Sequence, residues 1–155
     1  MGRCSRPRSM PGIIMEVVIL YGTENIDWEE LCELFRLAPL GNREPERLQL
    51  AAKSSHTVCS AFVDGKLVGF GRSISDGQYQ SAIYDVVVMP EYQGQGVGKS
   101  IMNSLLDKLP KNAPVLIYSV PGKQAFYNRF GFRNLKTGMG LFPNPDVSRA
   151  NGYLE

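Results

Sequence analysis

Apolar and polar residues alternate along this chain with two different periods, which predict short strands and short helices. Runs of β-branched and apolar residues between turn residues are typical of strands, whereas apolar residues spaced three and four apart are typical of helices. The first pattern predicts strands at Ile13–Tyr21, Val58–Val63, Leu67–Ile74, Ser81–Met89, Val115–Ser119, Phe132–Leu135 and Met139–Phe142. The second predicts helices at Trp28–Phe35, Pro45–Lys53, Val97–Leu109 and Lys123–Phe130.

Residues with special backbone preferences mark the ends of several of these elements. Asp27 is a plausible N-cap of the first helix, and Pro45 suits the first position of the second helix. The pair Asp64-Gly65 is a strong signal for a two-residue hairpin turn, and Gly131 suits the position after the last helix. The resulting order, β-α-α-β-β-β-α-β-α-β-β, belongs to the α+β class and predicts a mixed sheet.

Length and charge favour one ordinary domain. The chain has 155 residues and a formal net charge of +2 at pH 7. We expect residues 1–12 to form a disordered tip and residues 13–155 to form a single domain. Because the tip contains Arg3, Arg6 and Arg8, the remaining domain is close to neutral. Charge therefore gives no reason to expect nucleic acid or a membrane surface as a partner.

The cysteines and the N-terminus further limit the class of protein to which this sequence can belong. Cys4, Cys32 and Cys59 are few, odd in number and without CxxC spacing, so they indicate neither a disulfide framework nor a zinc site, and we expect no metal. No apolar run approaches the roughly 18 residues that cross a bilayer. The first residues also contain no apolar stretch of signal-peptide length. We therefore expect a cytoplasmic protein.

The most informative segment runs from Asp85 to Lys99, where a buried strand leads into a glycine-rich turn that opens a helix. The first amides of a helix have no internal partner and carry the positive end of the helix dipole. Glycines let the backbone approach a ligand closely. These features together predict an anion site made mainly of main chain, for which a diphosphate is a natural ligand.

Three phosphate-binding patterns compete for this turn. The P-loop pattern GxxxxGK[ST] fits Gly98-Lys99-Ser100, but its first glycine would fall on Gln93. The dinucleotide pattern GxGxxG fits Gly94 and Gly96, but its last glycine would fall on Lys99. The pattern [RQ]xxGx[GA] is matched by Gln93 to Gly98 without departure.

Through this last pattern the chain resembles the GNAT superfamily of acetyl-CoA-dependent N-acetyltransferases. The resemblance extends from about Ile13 to Phe142 and is sharpest in Val86–Lys99 and Ala125–Phe132, of which the second is similar to the family's FY-then-GF motif. It implies a mixed, mostly antiparallel sheet of about six to seven strands. The sheet would be splayed between its fourth and fifth strands and flanked by about four helices.

The resemblance also implies how acetyl-CoA binds as a co-substrate. Pantetheine would bond to the backbone of the strand before the loop, at Val86, Val87 and Val88. The pyrophosphate would be wrapped by the amides of Gln93, Gly94, Gln95, Gly96, Val97, Gly98 and Lys99. The Lys99 ammonium can add charge there, although it can equally be a solvated side chain.

Two side chains are candidates for proton transfer. A backbone amide near Val87 would polarise the acetyl carbonyl, and Tyr127 occupies the family position of the acid that protonates the leaving thiolate. The alternative is that Tyr127 only packs against the cofactor. Asp85 is a candidate base for the attacking amine, and an ion pair or cap at the strand entrance is an equal alternative.

The acceptor is less well defined by the sequence. The segments Tyr84–Lys99 and Gly138–Pro143 are similar to the plant and cyanobacterial branch that acetylates arylalkylamines such as serotonin, and polyamines or protein amines are further candidates. Tyr84 and Tyr118 are weaker candidates for the acceptor pocket. His56 lies in a polar junction, so we interpret it as a surface residue rather than a base.

Two other functions fit parts of the sequence. One is an acyl-CoA-binding regulatory module without useful catalysis, and the other is a P-loop nucleotide enzyme. Homodimers are common in the family, but no residue pattern here determines an oligomeric state.

Overall fold

A computed structural model describes residues 15–155, and these form two compact units that meet in sequence after Leu116. The predicted tip at residues 1–12 and the beginning of the strand predicted at Ile13–Tyr21 lie outside the described residues. The first unit contains a sheet and three α-helices. The second unit, Ile117–Glu155, contains two short helices.

The sheet of the first unit has five strands in the order in which they follow one another along the chain. They are β1 (Val18–Tyr21), β2 (Thr57–Val63), β3 (Lys66–Ser75), β4 (Ser81–Val88) and β5 (Val115–Leu116). The first four strands pair antiparallel, and β5 lies parallel to β4. The predicted α+β class and the mixed, mostly antiparallel sheet are therefore confirmed.

The helices of the first unit are α1 (Trp28–Leu37), α2 (Pro45–Lys53) and α3 (Val97–Asp107). Asp27 caps α1 as predicted, since its carboxylate accepts from the amides of Glu29 and Glu30, both at 3.1 Å. The α2 bounds are those predicted, with Pro45 in the first turn. Because the amides of Lys108 and Leu109 bond three residues back, the last turn tightens and α3 ends before the predicted Leu109.

The hairpin between β2 and β3 turns at the predicted pair. Asp64 has a φ of 49° and Gly65 a φ of 75°. Two successive positive φ angles match the right-handed twist of the flanking strands. The prediction of this turn from Asp64-Gly65 is confirmed.

Each face of the sheet is covered by a different helix. On one face Phe35 of α1 contacts Phe70 of β3 edge to face, with ring centroids 6.3 Å apart. On the other face α3 packs against β2, β3 and β4. A Cβ added at Gly71 would lie 2.6 Å from Cγ2 of Ile101 and 3.0 Å from Cδ1 of Leu105. Glycine at this position therefore permits α3 to lie directly on β3.

The fourth and fifth strands stay together over a short distance only. Ser81 and Ala82 pair with Val115 and Leu116, whereas β4 continues to Val88 without a strand partner on this side in the described part of the chain. The predicted strand Val115–Ser119 is therefore too long, because pairing ends at Leu116. One edge of β4 is left open, as expected for a splayed sheet.

The second unit differs from the predictions. Its helices are α4 (Gln124–Asn128) and α5 (Pro145–Ala150). The strands predicted at Phe132–Leu135 and Met139–Phe142 are wrong, since neither segment is paired among the described residues. Glycine weakens a strand, and Gly138 and Gly140 flank a Met139 side chain that is 99% exposed. The sheet thus has five described strands rather than six to seven.

Helix α5 was not predicted, although its start carries a recognisable signal. The Asn144 side chain accepts from the Val147 amide at 3.2 Å, and Pro145 occupies the first turn. An Asn-Pro-Asp start is typical of a helix N-terminus.

Packing of α3 on β3 predicts the effect of adding one methyl group. Gly71→Ala should destabilise the fold by about 1–3 kcal/mol, because the new Cβ overlaps Ile101. Ser73→Ala, two residues along the same strand, is the matched control. The Ser73 hydroxyl is fully buried and has no hydrogen-bond partner among the described residues, so its loss should be neutral or stabilising. Urea unfolding of both variants measures this, and equal stability of the two would contradict the packing argument.

Candidate active site

A β-bulge interrupts β4 at Asp85. Tyr84 pairs with Arg72 and Val87 pairs with Phe70, so two residues of β4 stand opposite the single residue Gly71. Asp85 has a φ of 56°, which is uncommon for a residue other than glycine inside a strand. The bulge therefore changes which groups of β4 point to each side.

The Asp85 carboxylate lies between two arginines. Its Oδ2 accepts from Nε of Arg72 at 2.7 Å, and its Oδ1 accepts from Nη2 of Arg43 at 2.9 Å. The Asp85 and Arg72 side chains are 14% and 16% exposed, whereas that of Arg43 is 40% exposed. This geometry favours the interpretation of Asp85 as a member of an ion pair over its interpretation as a catalytic base. The sequence did not single out either arginine.

Backbone groups on the open edge of β4 follow from the hydrogen bonds near its end. The Met89 amide donates to the Val68 carbonyl at 2.8 Å, so the backbone groups of Met89 and, by alternation, those of Val87 point toward β3. The backbone groups of Val86 and Val88 then point to the open edge. The side chain of Gln93 confirms the direction, because its Nε2 donates to the Val88 carbonyl at 3.0 Å.

The glycine-rich turn lies between β4 and α3. A short 3-10 helix, Pro90–Tyr92, is followed by Gly94 with a φ of 75° and Gly96 with a φ of 89°. A Cβ at Gly94 or Gly96 would meet nothing within 4 Å. Glycine at these two positions is therefore required by the backbone conformation, and the space beside them is open to a ligand.

Free amides line this turn and the start of α3. The Gln93 amide donates to the Pro90 carbonyl at 3.3 Å, and the Ser100 amide donates to the Gly96 carbonyl at 3.0 Å. Between them, the amides of Gly94 through Lys99 have no hydrogen-bond acceptor within the part of the chain that the structure describes. Gly96 is the N-cap of α3 and supplies no capping side chain. The turn thus presents a row of unpaired donors at the positive end of a helix dipole.

The charged and amide side chains of the turn leave these donors accessible. Gln95 folds back, with its Nε2 donating to the Glu91 carbonyl at 2.7 Å. Lys99 is exposed and forms no ion pair with any described residue. A polyanion at the amides would therefore meet an exposed positive charge, and the turn itself contributes no carboxylate.

Tyr127 belongs to the second unit, where it lies in α4. Its ring contacts Phe126 and Phe132 edge to face, with centroid distances of 4.9 and 6.1 Å. Burial raises the pKa of the Tyr127 phenol above its ordinary value of 10.0. The phenol is therefore protonated at neutral pH, as a proton donor must be.

The remaining candidates are placed as follows. His56 is exposed and its Nδ1 lies 3.0 Å from Oγ1 of Thr57, in agreement with a surface residue. The Arg72 guanidinium lies over the ring of Tyr84, 5.7 Å from its centroid. Tyr118, in the second unit, contacts Phe142 and Tyr153 edge to face. None of these contacts assigns an acceptor pocket.

The residues that the structure describes contain no group of three or more His, Cys, Asp or Glu side chains placed to hold a metal ion. No helix formed by residues 15–155 has the length and apolar character needed to span a bilayer.

The family is decided by comparison with known proteins. Residues 25–132 match the model of the acetyltransferase (GNAT) family, which is most of the chain. The chain belongs to the GNAT family. This GNAT protein is 31% identical over 140 residues to the uncharacterized N-acetyltransferase ycf52 of Porphyra purpurea, covering 86% of this chain and 80% of the relative.

Two further similarities extend the comparison. This GNAT chain is 31% identical over 113 residues to the chloroplastic serotonin N-acetyltransferase 2 of Oryza sativa, covering 69% of this chain but 56% of that protein. A GNAT family acetyltransferase from Streptococcus pneumoniae has the same fold, with a TM-score of 0.70, 26% identity and coverage of 82% and 96% of the two chains. The N-acetyltransferase family inferred from the two motifs is confirmed.

The raised pKa of Tyr127 can be observed directly. The phenolate absorbance of the wild-type protein minus that of Tyr127→Phe should titrate above pH 10.0, because burial disfavours the charged form. The stability that this buried phenol contributes is present below pH 10.0 and is lost as the pH rises through the higher, folded-state pKa. A difference spectrum that titrates at or below 10.0 would show that the phenol is not buried.

Proposed function

We propose that this GNAT protein transfers the acetyl group of acetyl-CoA to a primary amine by direct attack within a ternary complex. The observation that carries the proposal is the row of unpaired amides from Gly94 to Lys99, which opens an 11-residue helix. Such a row binds anionic groups without needing a charged side chain. Its chemistry fits the diphosphate of a coenzyme A thioester.

The turn fits a diphosphate for two reasons besides its donors. The spaces beside Gly94 and Gly96 are open, so a ligand can approach the main chain closely. Exposed Lys99 adds positive charge at the same helix end, where anions are already favoured. We propose that Gly94 to Lys99 hold the diphosphate, and that Gln93 supports the turn through its side-chain bond to Val88.

The open edge of β4 supplies the next part of the site. The bound thioester provides an activated acetyl group and a thiolate leaving group. We propose that the backbone of Val86 and Val88 bonds to pantetheine and that an amide on this edge polarises the acetyl carbonyl. The donor expected near Val87 is thereby shifted to its neighbours, because Val87 itself points toward β3.

Tyr127 is proposed as the acid that protonates the leaving thiolate. Its position in the FY-then-GF motif and its protonated phenol support this role. The alternative, that the ring only packs against the ligand, makes a different kinetic prediction. The role of base is not assigned to Asp85 in this proposal, because both carboxylate oxygens accept from guanidinium groups.

The acceptor class is proposed from the relatives. A rice relative is named for serotonin acetylation and a soybean relative for histone acetylation, at 31% and 27% identity. We propose an arylalkylamine as the first acceptor to test, with polyamines and protein lysines as the alternatives.

The transfer reaction is tested with a panel of amines and a free-thiol readout. Purified protein should release coenzyme A thiol from acetyl-CoA only when an accepting amine is present. Serotonin, tryptamine, spermidine and a lysine peptide form the panel, and mass spectrometry identifies the acetylated product. Binding of acetyl-CoA without turnover of any amine would instead support the acyl-CoA-binding regulatory module.

Tyr127→Phe separates the acid from a packing residue. If Tyr127 is the acid, removing its hydroxyl should lower kcat by about 100-fold or more, which is within the usual range for a general acid. The affinity for acetyl-CoA should change little. Tyr79→Phe, which removes the hydroxyl of a side chain that is 78% exposed, is the matched control. Unchanged kcat, or equal loss of kcat and affinity, would remove Tyr127 as the acid.

A further inference from the structure

The residue that begins the β4 bulge is bound to several other elements. Asp85 has a positive φ, and its carboxylate is engaged by Arg72 of β3 and by Arg43 of the loop after α1. Asp64 is the other described residue besides glycine with a positive φ, and it lies in a hairpin turn that requires one. At Asp85 the positive φ belongs to a bulge rather than to a turn, and the contacts of the carboxylate with both arginines can stabilise this uncommon conformation.

The two arginines are themselves fixed by their surroundings. Nη1 of Arg72 donates to Oγ of Ser55 at 3.2 Å, just beyond the end of α2. The Arg43 guanidinium lies 4.9 Å from the ring centroid of Phe35, a core residue of α1. The group Arg43–Asp85–Arg72, here called the arginine clamp, therefore ties the bulge to α1, α2 and β3. Guanidinium groups suit this role because they are always charged and hold a fixed geometry.

The bulge determines which backbone groups reach the open edge. The Ser81 amide donates to the Pro114 carbonyl on the β5 side. In a regular strand, the backbone groups of the odd-numbered residues of β4 would therefore all point to that side. Beyond the bulge the odd-numbered residues point to β3 instead, because the Met89 amide donates to the Val68 carbonyl of β3. Without the extra residue, Val87 would occupy the open edge and Val86 and Val88 would point to β3.

We propose that Arg72 and Arg43 are positioning residues that stabilise the bulge through Asp85 and thereby present the backbone of Val86 and Val88 to the acetyl donor. Asp85 is then the anchor of the clamp rather than the base of the reaction. The catalytic part of this inference rests on the proposed acetyl transfer, whereas the effect of the clamp on β4 does not.

The two interpretations of Asp85, as the anchor of the clamp or as a base, predict different effects for removing an arginine. A base would remain active in Arg72→Gln, whereas a broken clamp would lower activity. Arg72→Gln leaves the Asp85 carboxylate in place but breaks the clamp. If the clamp positions β4, this variant should lower kcat/KM about as much as Asp85→Asn, by the roughly 100-fold that a misplacement of about 1 Å can cause. The double variant should lose no more than either single variant, since all three break one unit. Arg72→Lys should restore part of the activity.

Hydrogen exchange tests the clamp without any turnover. Arg72→Gln should accelerate amide exchange in the peptide Tyr84–Met89 and leave the interior of α3 unchanged. Arg36→Gln is the matched control, because Arg36 pairs with Glu33 on the exposed side of α1. If Arg72→Gln does not fold, Arg43→Gln should show a smaller change of the same kind, since Arg43 is more exposed.

The outcomes separate the clamp from the base and from the proposed function. If Asp85→Asn abolishes turnover while Arg72→Gln retains it and exchange in β4 is unchanged, Asp85 is the base and the clamp is wrong. Unchanged exchange and unchanged turnover in both arginine variants would also overturn the clamp. If no amine is acetylated by the wild-type protein, the proposed function fails, and faster exchange in Arg72→Gln still establishes the clamp.

Discussion

Helix α3 lies so close to β3 that no side chain fits between them at two positions. A Cβ at Gly69 would lie 2.7 Å from Ile101, and a Cβ at Gly71 would lie 2.6 Å from the same residue. This contact fixes the axis of α3 against the sheet, and with it the place where the helix begins. The first amides of α3 therefore have a fixed place after the turn that follows β4, and Gln93 of that turn donates to the Val88 carbonyl on the open strand edge.

The candidate site combines two kinds of electrostatic interaction. The glycine-rich turn uses main-chain dipoles, which are unpaired, face outward and remain the same at every pH at which the protein is folded. The bulge uses full charges, of which those of Asp85 and Arg72 are largely shielded from water, where a broken pair is costly. The first arrangement suits a ligand that must enter and leave, and the second suits a backbone conformation that must not change.

Local signals were sufficient for several elements of the first unit, although β1, α3 and β5 are shorter than predicted. Asp27, Pro45 and Asp64-Gly65 each act on neighbouring residues, so their effects on α1, α2 and the hairpin could be predicted. The same reasoning identified the turn from Gln93 to Gly98 and, with Ala125–Phe132, the family. A strand pattern, however, does not reveal whether a partner is present, which explains the wrong strands after Gly131.

The arginine clamp could not be predicted in the same way. Arg43, Arg72 and Asp85 are far apart in sequence and meet because α1, β3 and β4 pack together. The hydrophobic pattern does not indicate the positive φ of Asp85, because the same pattern is expected for a regular strand without a bulge. The backbone donor near Val87 stays a prediction, and the bulge moves the outward groups of β4 by one residue, to Val86 and Val88.

Calorimetric titration with acetyl-CoA and with ATP–Mg²⁺ tests the central claim most directly. If the amides of Gly94 to Lys99 hold the diphosphate of a coenzyme A thioester, acetyl-CoA binds at one site per chain, and excess ATP–Mg²⁺ does not displace it. Binding of ATP–Mg²⁺ without binding of acetyl-CoA would contradict the account and favour a P-loop enzyme.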